Sequence, residues 1–390
     1  MNRKLLPLLI AGLTAGFAQA DAIPTVYGKV NVTLNKYDFD DIQSGTRVNG
    51  QDNWKLESNA SRLGVKGALD ISTDLKAIYK LEYEVYPDAD KQGDGTSPFK
   101  QRNTYAGLQG GWGTLFAGKN DTPLKATAAE TVQLFKDLPL ADFKYVIVGE
   151  NRENNIVQYA TPSLSGLILS AQVILGEDTG ASDSTGAKSK DQNSNLTNKY
   201  SLAATYKLDT LYLALADDHN VQNSDTIRFV AQYGIGPVTI GGLYQNADRH
   251  FKNPATSPTA NGVNTGAIGA LSSLPGNNLN SGVGNPINDF AGGLYKKQDA
   301  YGVSAAWQID KDWTVKGQYL RSKSDPVDAA GVGLSETVAK NYVVGVDYAL
   351  SKAAKVFAYY ASIKTDGDLT ATTSETLDDK TYAVGYELKF

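Results

Sequence analysis

The chain is built from short stretches in which apolar and polar residues alternate. The last stretch is the clearest: Tyr382, Val384, Tyr386, Leu388 and Phe390 hold the even positions, with Thr381, Ala383, Gly385, Glu387 and Lys389 between them. A strand turns successive side chains to opposite faces, so this segment has one greasy face and one wet one. Taken alone, it fits either a barrel wall inside a membrane or a sandwich strand over a core. The pattern recurs from one end to the other. Val26, Gly28, Val30, Val32 and Leu34 stand against Tyr27, Lys29, Asn31 and Thr33, and Leu75, Ala77, Tyr79, Leu81 and Tyr83 against Lys76, Ile78, Lys80, Glu82 and Glu84. Ile227, Phe229, Ala231 and Tyr233, and later Tyr342, Val344, Val346 and Tyr348, repeat it.

About sixteen segments reach the length of a barrel strand, an even number as bacterial barrels require. They are predicted at 24–36, 53–69, 74–86, 101–110, 113–120, 153–161, 166–176, 199–208, 210–218, 226–234, 237–247, 299–309, 312–323, 339–349, 354–364 and 379–390. The connections alternate in length. Tight ones such as Gly110-Gly111, Leu208-Asp209 and Asp310-Lys311 separate long polar ones near 37–52, 87–100, 121–152, 177–198, 218–225, 248–298, 324–338 and 365–378. Short turns on one rim and long loops on the other are the plan of an outer-membrane barrel, and a sandwich has no reason to follow it. The expected fold is all-β: a transmembrane antiparallel β-barrel with short periplasmic turns and long extracellular loops.

Composition narrows the setting. Asn2-Arg3-Lys4, the apolar run Leu5 to Phe17 and the small-residue site Ala18-Gln19-Ala20 make 1–20 a secretory signal peptide, leaving 21–390 as one barrel domain. The run is shorter than the roughly 20 residues of a helical span. Hydrophobic residues are only 41% of the chain, so a membrane protein of this composition crosses by strands. Cysteine is absent, which excludes a disulfide scaffold. The formal net charge of −5, with no basic tract, argues against a nucleic-acid partner.

The run Arg102-Asn103-Thr104-Tyr105-Ala106-Gly107-Leu108-Gln109-Gly110-Gly111-Trp112-Gly113-Thr114-Leu115-Phe116-Ala117-Gly118-Lys119 resembles the general porins of Gram-negative outer membranes. Val26-Tyr27-Gly28-Lys29, Ser61-Arg62-Leu63-Gly64-Val65-Lys66-Gly67, Arg152 with Asn155 and Tyr159-Ala160-Thr161-Pro162, and the terminal Phe390 match in order and spacing. The resemblance implies a sixteen-strand diffusion channel that assembles as a homotrimer, with a third long loop, here 121–152, folded into the lumen. It also implies outer-membrane lipids including lipopolysaccharide, the barrel-insertion machinery, and ions and small hydrophilic solutes as partners, with Phe390 as the insertion signal.

Strand parity tests part of this independently. Charged members of the alternating pairs belong in the lumen, because a cation on the lipid side costs about 2–4 kcal/mol near the midplane. By that rule Lys29, Arg62, Lys66, Lys80, Arg102 and Arg152 point inward. In related porins the positions of Lys29, Arg62, Arg102 and Arg152 form a basic cluster on the wall; Lys80 joins them here by parity. The opposing acids are expected from the infolded loop: Asp121, Glu130, Asp137 and Asp142, with Glu150 at its end. Leu140 stands where the family's tip carries a second carboxylate, with Asp142 the substitute, which puts cation preference in doubt.

Other functions have less to rest on. A barrel hydrolase needs a histidine beside a nucleophile or acid, and the chain has only His219 and His250, both in or beside predicted loops. No thiol or metal-spaced cluster is present, so no cofactor or metal is expected. A substrate-selective channel for sugars or anions would show an aromatic track or a lysine array in the lumen; Tyr27 and Lys296-Lys297 do not amount to one. A purely adhesive barrel would conduct nothing.

Overall fold

The computed structural model describes residues 24–43, 46–49, 53–88, 97–176, 198–249, 295–326, 336–370 and 373–390. The expected signal peptide at 1–20, most of 248–298 and His250 lie outside them. Twenty strands run in chain order: β1 (Thr25–Asp38), β2 (Asp40–Gln43), β3 (Thr46–Asn49), β4 (Asn53–Ser58), β5 (Arg62–Ser72), β6 (Leu75–Val85), β7 (Phe99–Gln101), β8 (Thr104–Gly110), β9 (Gly113–Asp121), β10 (Arg152–Ala160), β11 (Leu167–Ile174), β12 (Tyr200–Leu208), β13 (Leu211–Val221), β14 (Ser224–Ile235), β15 (Val238–Arg249), β16 (Tyr295–Gln308), β17 (Trp313–Pro326), β18 (Thr337–Ala349), β19 (Ala354–Thr370) and β20 (Thr373–Lys389). The pair β2–β3 is a separate hairpin. The other eighteen form one sheet, in which β4 with β5 and β7 with β8 each make one interrupted pass, so the wall has sixteen antiparallel passes.

The sheet closes on itself. β20 pairs with β1 from Lys29↔Lys389 to Asp38↔Lys380, and β1 pairs on its other side with β4 and β5. Closure leaves no unpaired edge in the wall, as a non-aqueous surround demands. At the seam Gly28 N donates to Phe390 O at 2.8 Å, and Phe390 N to Gly28 O at 3.1 Å. A Cβ on Gly28 would meet the Phe390 ring at 2.3 Å, so glycine is what lets that ring pack against the first strand.

Burial is inverted relative to a water-soluble protein. Val26, Leu34, Phe229, Val344 and Val384 are exposed on the outer face, while Lys29, Asn31, Thr33 and Asn35 are buried on the inner one. The parity reading therefore holds through most of the first and last strands, with Gly28 covered and Lys389 exposed at their ends. The apolar cluster lies inside: Val132, Phe135, Leu138, Leu140, Phe143 and Ile147 of the infolded loop pack on Val230, Leu243, Leu320, Val343 and Tyr359 of the wall.

Four predicted elements differ. The loop expected at 365–378 is instead a tall hairpin, with Lys364↔Asp378 and Asp366↔Thr376 paired up to Thr370↔Thr373. Its greasy-outside pattern fails because the outward residues there, such as Lys364 and Thr376, are polar and exposed, while Ile363, Thr365 and Leu377 are buried on the opposite face. The loop expected at 218–225 is a tight turn through Gln222-Asn223, both at positive φ (52° and 59°). Finally, the predicted strands at 53–69 and 101–110 are broken at 59–61 and 102–103, where Ser61 Oγ takes the bond from Asn31 N at 2.9 Å.

Candidate pore constriction

The connection between β9 and β10 crosses the inside of the barrel. It opens with Thr122, whose side chain caps the short helix α1 (Pro123–Ala129) by accepting from Lys125 N, with Pro123 in the first turn where its missing N–H costs nothing. It then runs along the inner faces of the later strands. Leu134 N donates to Gln318 Oε1 at 3.1 Å, Gln318 Nε2 to Ala141 O at 2.9 Å, Asn341 Nδ2 to Leu140 O at 2.7 Å, and the Tyr359 hydroxyl to Pro139 O at 3.1 Å. Small wall residues make room: a Cβ at Gly345 would lie 2.7 Å from the Phe135 ring.

The tip is a tight turn with Asp137 and Leu140 both in the left-handed region, at φ 70° and 54°. Non-glycine residues stay there only when their surroundings over-determine them. Asp142 does this for the first: its carboxylate accepts from Asp137 N at 2.6 Å, from Gln133 Nε2 at 2.8 Å and from Lys144 N at 2.9 Å. Asn341 holds the carbonyl of the second. Leu140 is fully buried against the wall, so the position where the family carries a carboxylate is here an apolar peg.

Opposite the tip stand the basic residues. Lys29 Nζ lies 2.9 Å from Asp137 Oδ2, and Arg62 Nη2 3.5 Å from the same oxygen. Burial alone would raise the Asp137 carboxyl; the charges of Lys29, then Arg62 and Arg102, hold it well below the usual carboxylate range. The other basic residues answer to nearer acids. Arg102 bonds Glu82 at 3.2 Å and Glu84 at 3.0 Å on its own wall, and Lys80 reaches Glu82 at 3.3 Å. Arg152 pairs with Asp121 at 2.9 Å, where Lys125 joins at 3.1 Å and Asn103 donates at 3.2 Å.

The structure thus brings Lys29, Arg62 and Asp137 together across the lumen and gathers Asp121 and Arg152 at the loop's root. Glu130 is apart: its side chain is 84% exposed and pairs with Lys136 of the same loop. Asp142 braces the loop from within. Between tip and wall is an open gap of about 510 Å³, bordered by Glu57, Glu84, Arg102, Lys136, Asp137 and Lys144.

Sequence reasoning passed over three groups. The loop contributes cations as well as acids, namely Lys125, Lys136 and Lys144. Glu57 accepts from the Tyr37 hydroxyl and from Asn35 Nδ2 at 2.7 Å. Arg228, buried in β14, meets Glu150 at 2.8 Å; its place between outward Ile227 and Phe229 was the signal that could have found it. His219 lies in β13, stacked on Tyr200 with 4.8 Å between ring centroids and facing Asp225 at 3.1 Å.

A closed strand wall with a greasy outside, a charged inside and a loop laid across its bore defines a transmembrane β-barrel of the porin type. A family model described as Gram-negative porin matches residues 8–368, and the chain belongs to that family. It is 27% identical over 184 residues to the major outer membrane protein P.IB of Neisseria gonorrhoeae, covering 46% of this chain and 50% of that protein. The match thus spans about half the length of these curated relatives. Two solved structures share the fold. An anion-selective porin from Comamonas acidovorans has a TM-score of 0.62 at 18% identity, covering 95% of this chain and 100% of the other. The trimer form of OmpT from Vibrio cholerae has a TM-score of 0.60 at 14% identity, covering 95% and 99%. The protein is an outer-membrane protein.

Proposed function

We propose that the protein forms a water-filled channel for passive diffusion of ions and small hydrophilic solutes across the outer membrane, narrowed by the infolded loop. The observation that carries this is Asp137 of the tip, held by Lys29 and Arg62 of the facing wall beside an open, charged gap. Lys80, Arg102 and Arg152 extend the basic wall, and Asp121, Glu130, Asp137 and Asp142 are the acids of the loop. Fixed charges on two sides of a wet gap orient water across it; polar solutes follow that field, and apolar ones must displace ordered water. The relatives are named as porins and outer membrane proteins, which favours a channel over a barrel hydrolase.

A homotrimer of such channels is supported by the trimer form of a like fold. Outer-leaflet lipids including lipopolysaccharide surround the apolar band, and Phe390, exposed and outward at the seam, serves as the mark read by the insertion machinery. Residues 1–20 are removed on export, leaving one barrel domain from residue 21.

One observation favours a finer reading. Asp137 is engaged by Lys29 and Arg62, Asp121 by Arg152 and Lys125, Glu150 by Arg228, Glu130 by Lys136 and Asp142 by the loop's own backbone, while Lys100 and Lys144 stay exposed beside the gap. The open pore then prefers small anions modestly. Planar-bilayer recording tests both readings. Stepwise, ohmic currents in salt are expected, with a reversal potential favouring chloride in a potassium chloride gradient. Absence of steps would dismiss the channel, and a potassium preference only the anion reading. A saturable block by one solute at low concentration would instead mark a substrate-selective pore.

A further inference from the structure

We infer that Arg228 clamps both roots of the constriction loop to the wall and thereby sets how steadily the pore stays open. Its side chain is completely buried, and its planar guanidinium is divided among four acceptors. Nε donates to Gln245 Oε1 at 2.7 Å, and Nη2 to Val148 O at 3.2 Å. Nη1 reaches Glu150 Oε1 at 2.8 Å and Leu124 O at 3.5 Å. Leu124 belongs to the loop's outgoing arm, and Val148 and Glu150 to the returning one. One side chain of the barrel wall therefore holds the two arms where they meet it.

The surroundings are fitted to that side chain. Gln245 accepts from Arg228 and donates its own Nε2 to Val148 O at 3.0 Å, so the same carbonyl is held twice. Gly149, at φ 87°, turns the returning arm close enough for contact; a Cβ there would be strained and would lie 2.9 Å from the Leu124 side chain and 3.2 Å from Arg228 Nη2. Gln318 ties two points nearer the tip, but through neutral bonds. Charge-assisted bonds are stronger, and only a rigid fork can serve several acceptors at once. A buried cation with so many acceptors is well satisfied, and removing it leaves Glu150 buried without its partner. Arg228 is thus a positioning residue: it does not border the gap and acts through the loop.

The inference rests on the loop being the pore's narrowing, and the experiment separates the two. The double variant Arg228→Met with Glu150→Gln removes the clamp without stranding a charge, and Arg228→Lys keeps the charge but loses the fork. In single-channel recordings of the trimer, the double variant should raise open-channel current noise at least threefold and lower the voltage at which the channel closes. Arg228→Lys should fall between it and the parent, and it alone decides the matter if the double variant yields no trimers. Quiet currents with the parental closing voltage would overturn the clamp, because a merely structural role would alter heat resistance and leave noise unchanged. Deleting 132–140 reports on the narrowing itself: unchanged conductance there would dismiss the constriction, whereas higher conductance there with quiet Arg228 variants would dismiss the clamp alone.

Discussion

The two halves of the inner wall have opposite character. From β13 to β19 the loop covers the inner wall: Ala214, Val230, Leu243, Leu320 and Val343 pack in its apolar cluster, and the buried Arg228, Gln245, Gln318 and Asn341 bond to it. From β1 to β10 the inward residues include Lys29, Arg62, Lys80, Glu82, Glu84, Arg102 and Arg152; Glu84, Arg102 and Arg152 border the gap, and Lys29 and Arg62 hold Asp137 at its edge. A lumen is therefore not uniformly wet. The dry half gives the loop an apolar seat, like the core of a small soluble domain, and the wet half supplies the field. Without that seat, a long polar connection would have no reason to stay inside, since ordering its residues costs conformational entropy that hydrogen bonds to water would not offset.

The largest expected effect comes from wetting the dry half. Leu140→Asp restores the family's carboxylate, but at a fully buried position against Asn341 and Tyr359. An unpaired buried charge costs several kcal/mol, so the tip should leave its seat rather than accept it. Noisy currents and new protease cleavage near the tip are expected. A quiet channel with a stronger cation preference would mean that residue 140 faces the pore and that the contrast between the halves is wrong at its sharpest point.

An intermediate effect is expected from the wet half. Lys29→Met with Arg62→Gln removes the two cations closest to Asp137 and leaves its carboxylate facing the gap. The permeability ratio of potassium to chloride should rise a few-fold while conductance changes little, as fixed charge biases which ion passes. An unchanged reversal potential would place the selecting charges elsewhere. The smallest effect concerns acid. Asp137 is held below the roughly 3.9 of an unperturbed aspartate, so its contribution to seating is complete above about pH 4. That contribution disappears only as pH falls from there toward the folded value. No Asp137-dependent change in conductance or noise is therefore expected between pH 7 and pH 4, and a transition near pH 5 that Asp137→Asn abolishes would show that Asp137 is not paired as described.

Much of the wall was legible because lipid imposes a strict period on every strand that touches it. The faces of the first and last strands were assigned correctly along most of their length, and Lys29 and Arg62 followed from parity. What escaped lies where that period does not operate. In the tall hairpin of β19 and β20 the outward face is polar at Lys364 and Thr376 while Thr365 and Leu377 are buried on the other, so the greasy-outside period that marks a lipid-facing strand is absent there. The wall is broken at 59–61 and 102–103, where a bend re-aims the chain beside Arg62 and at Arg102 itself. In the loop, a list of acids could not tell Asp142, which braces the turn, from Asp137, which reaches across. That difference depends on which backbone N–H each carboxylate meets, and no residue spacing records it.

The seam between the first and last strands also bears on how the barrel comes to exist. Lys29 and Lys389 are partners in the closing register, so the sheet is joined by residues from opposite ends of the chain. Until they meet, β1 and β20 are both open edges carrying rows of unpaired N–H and C=O groups, and such edges recruit strands from other molecules. Contacts this distant in sequence form late and slowly. A cell that makes this protein therefore has an interval to guard between export and closure, and the length of that interval, more than the final stability, decides how much chain is lost to aggregation.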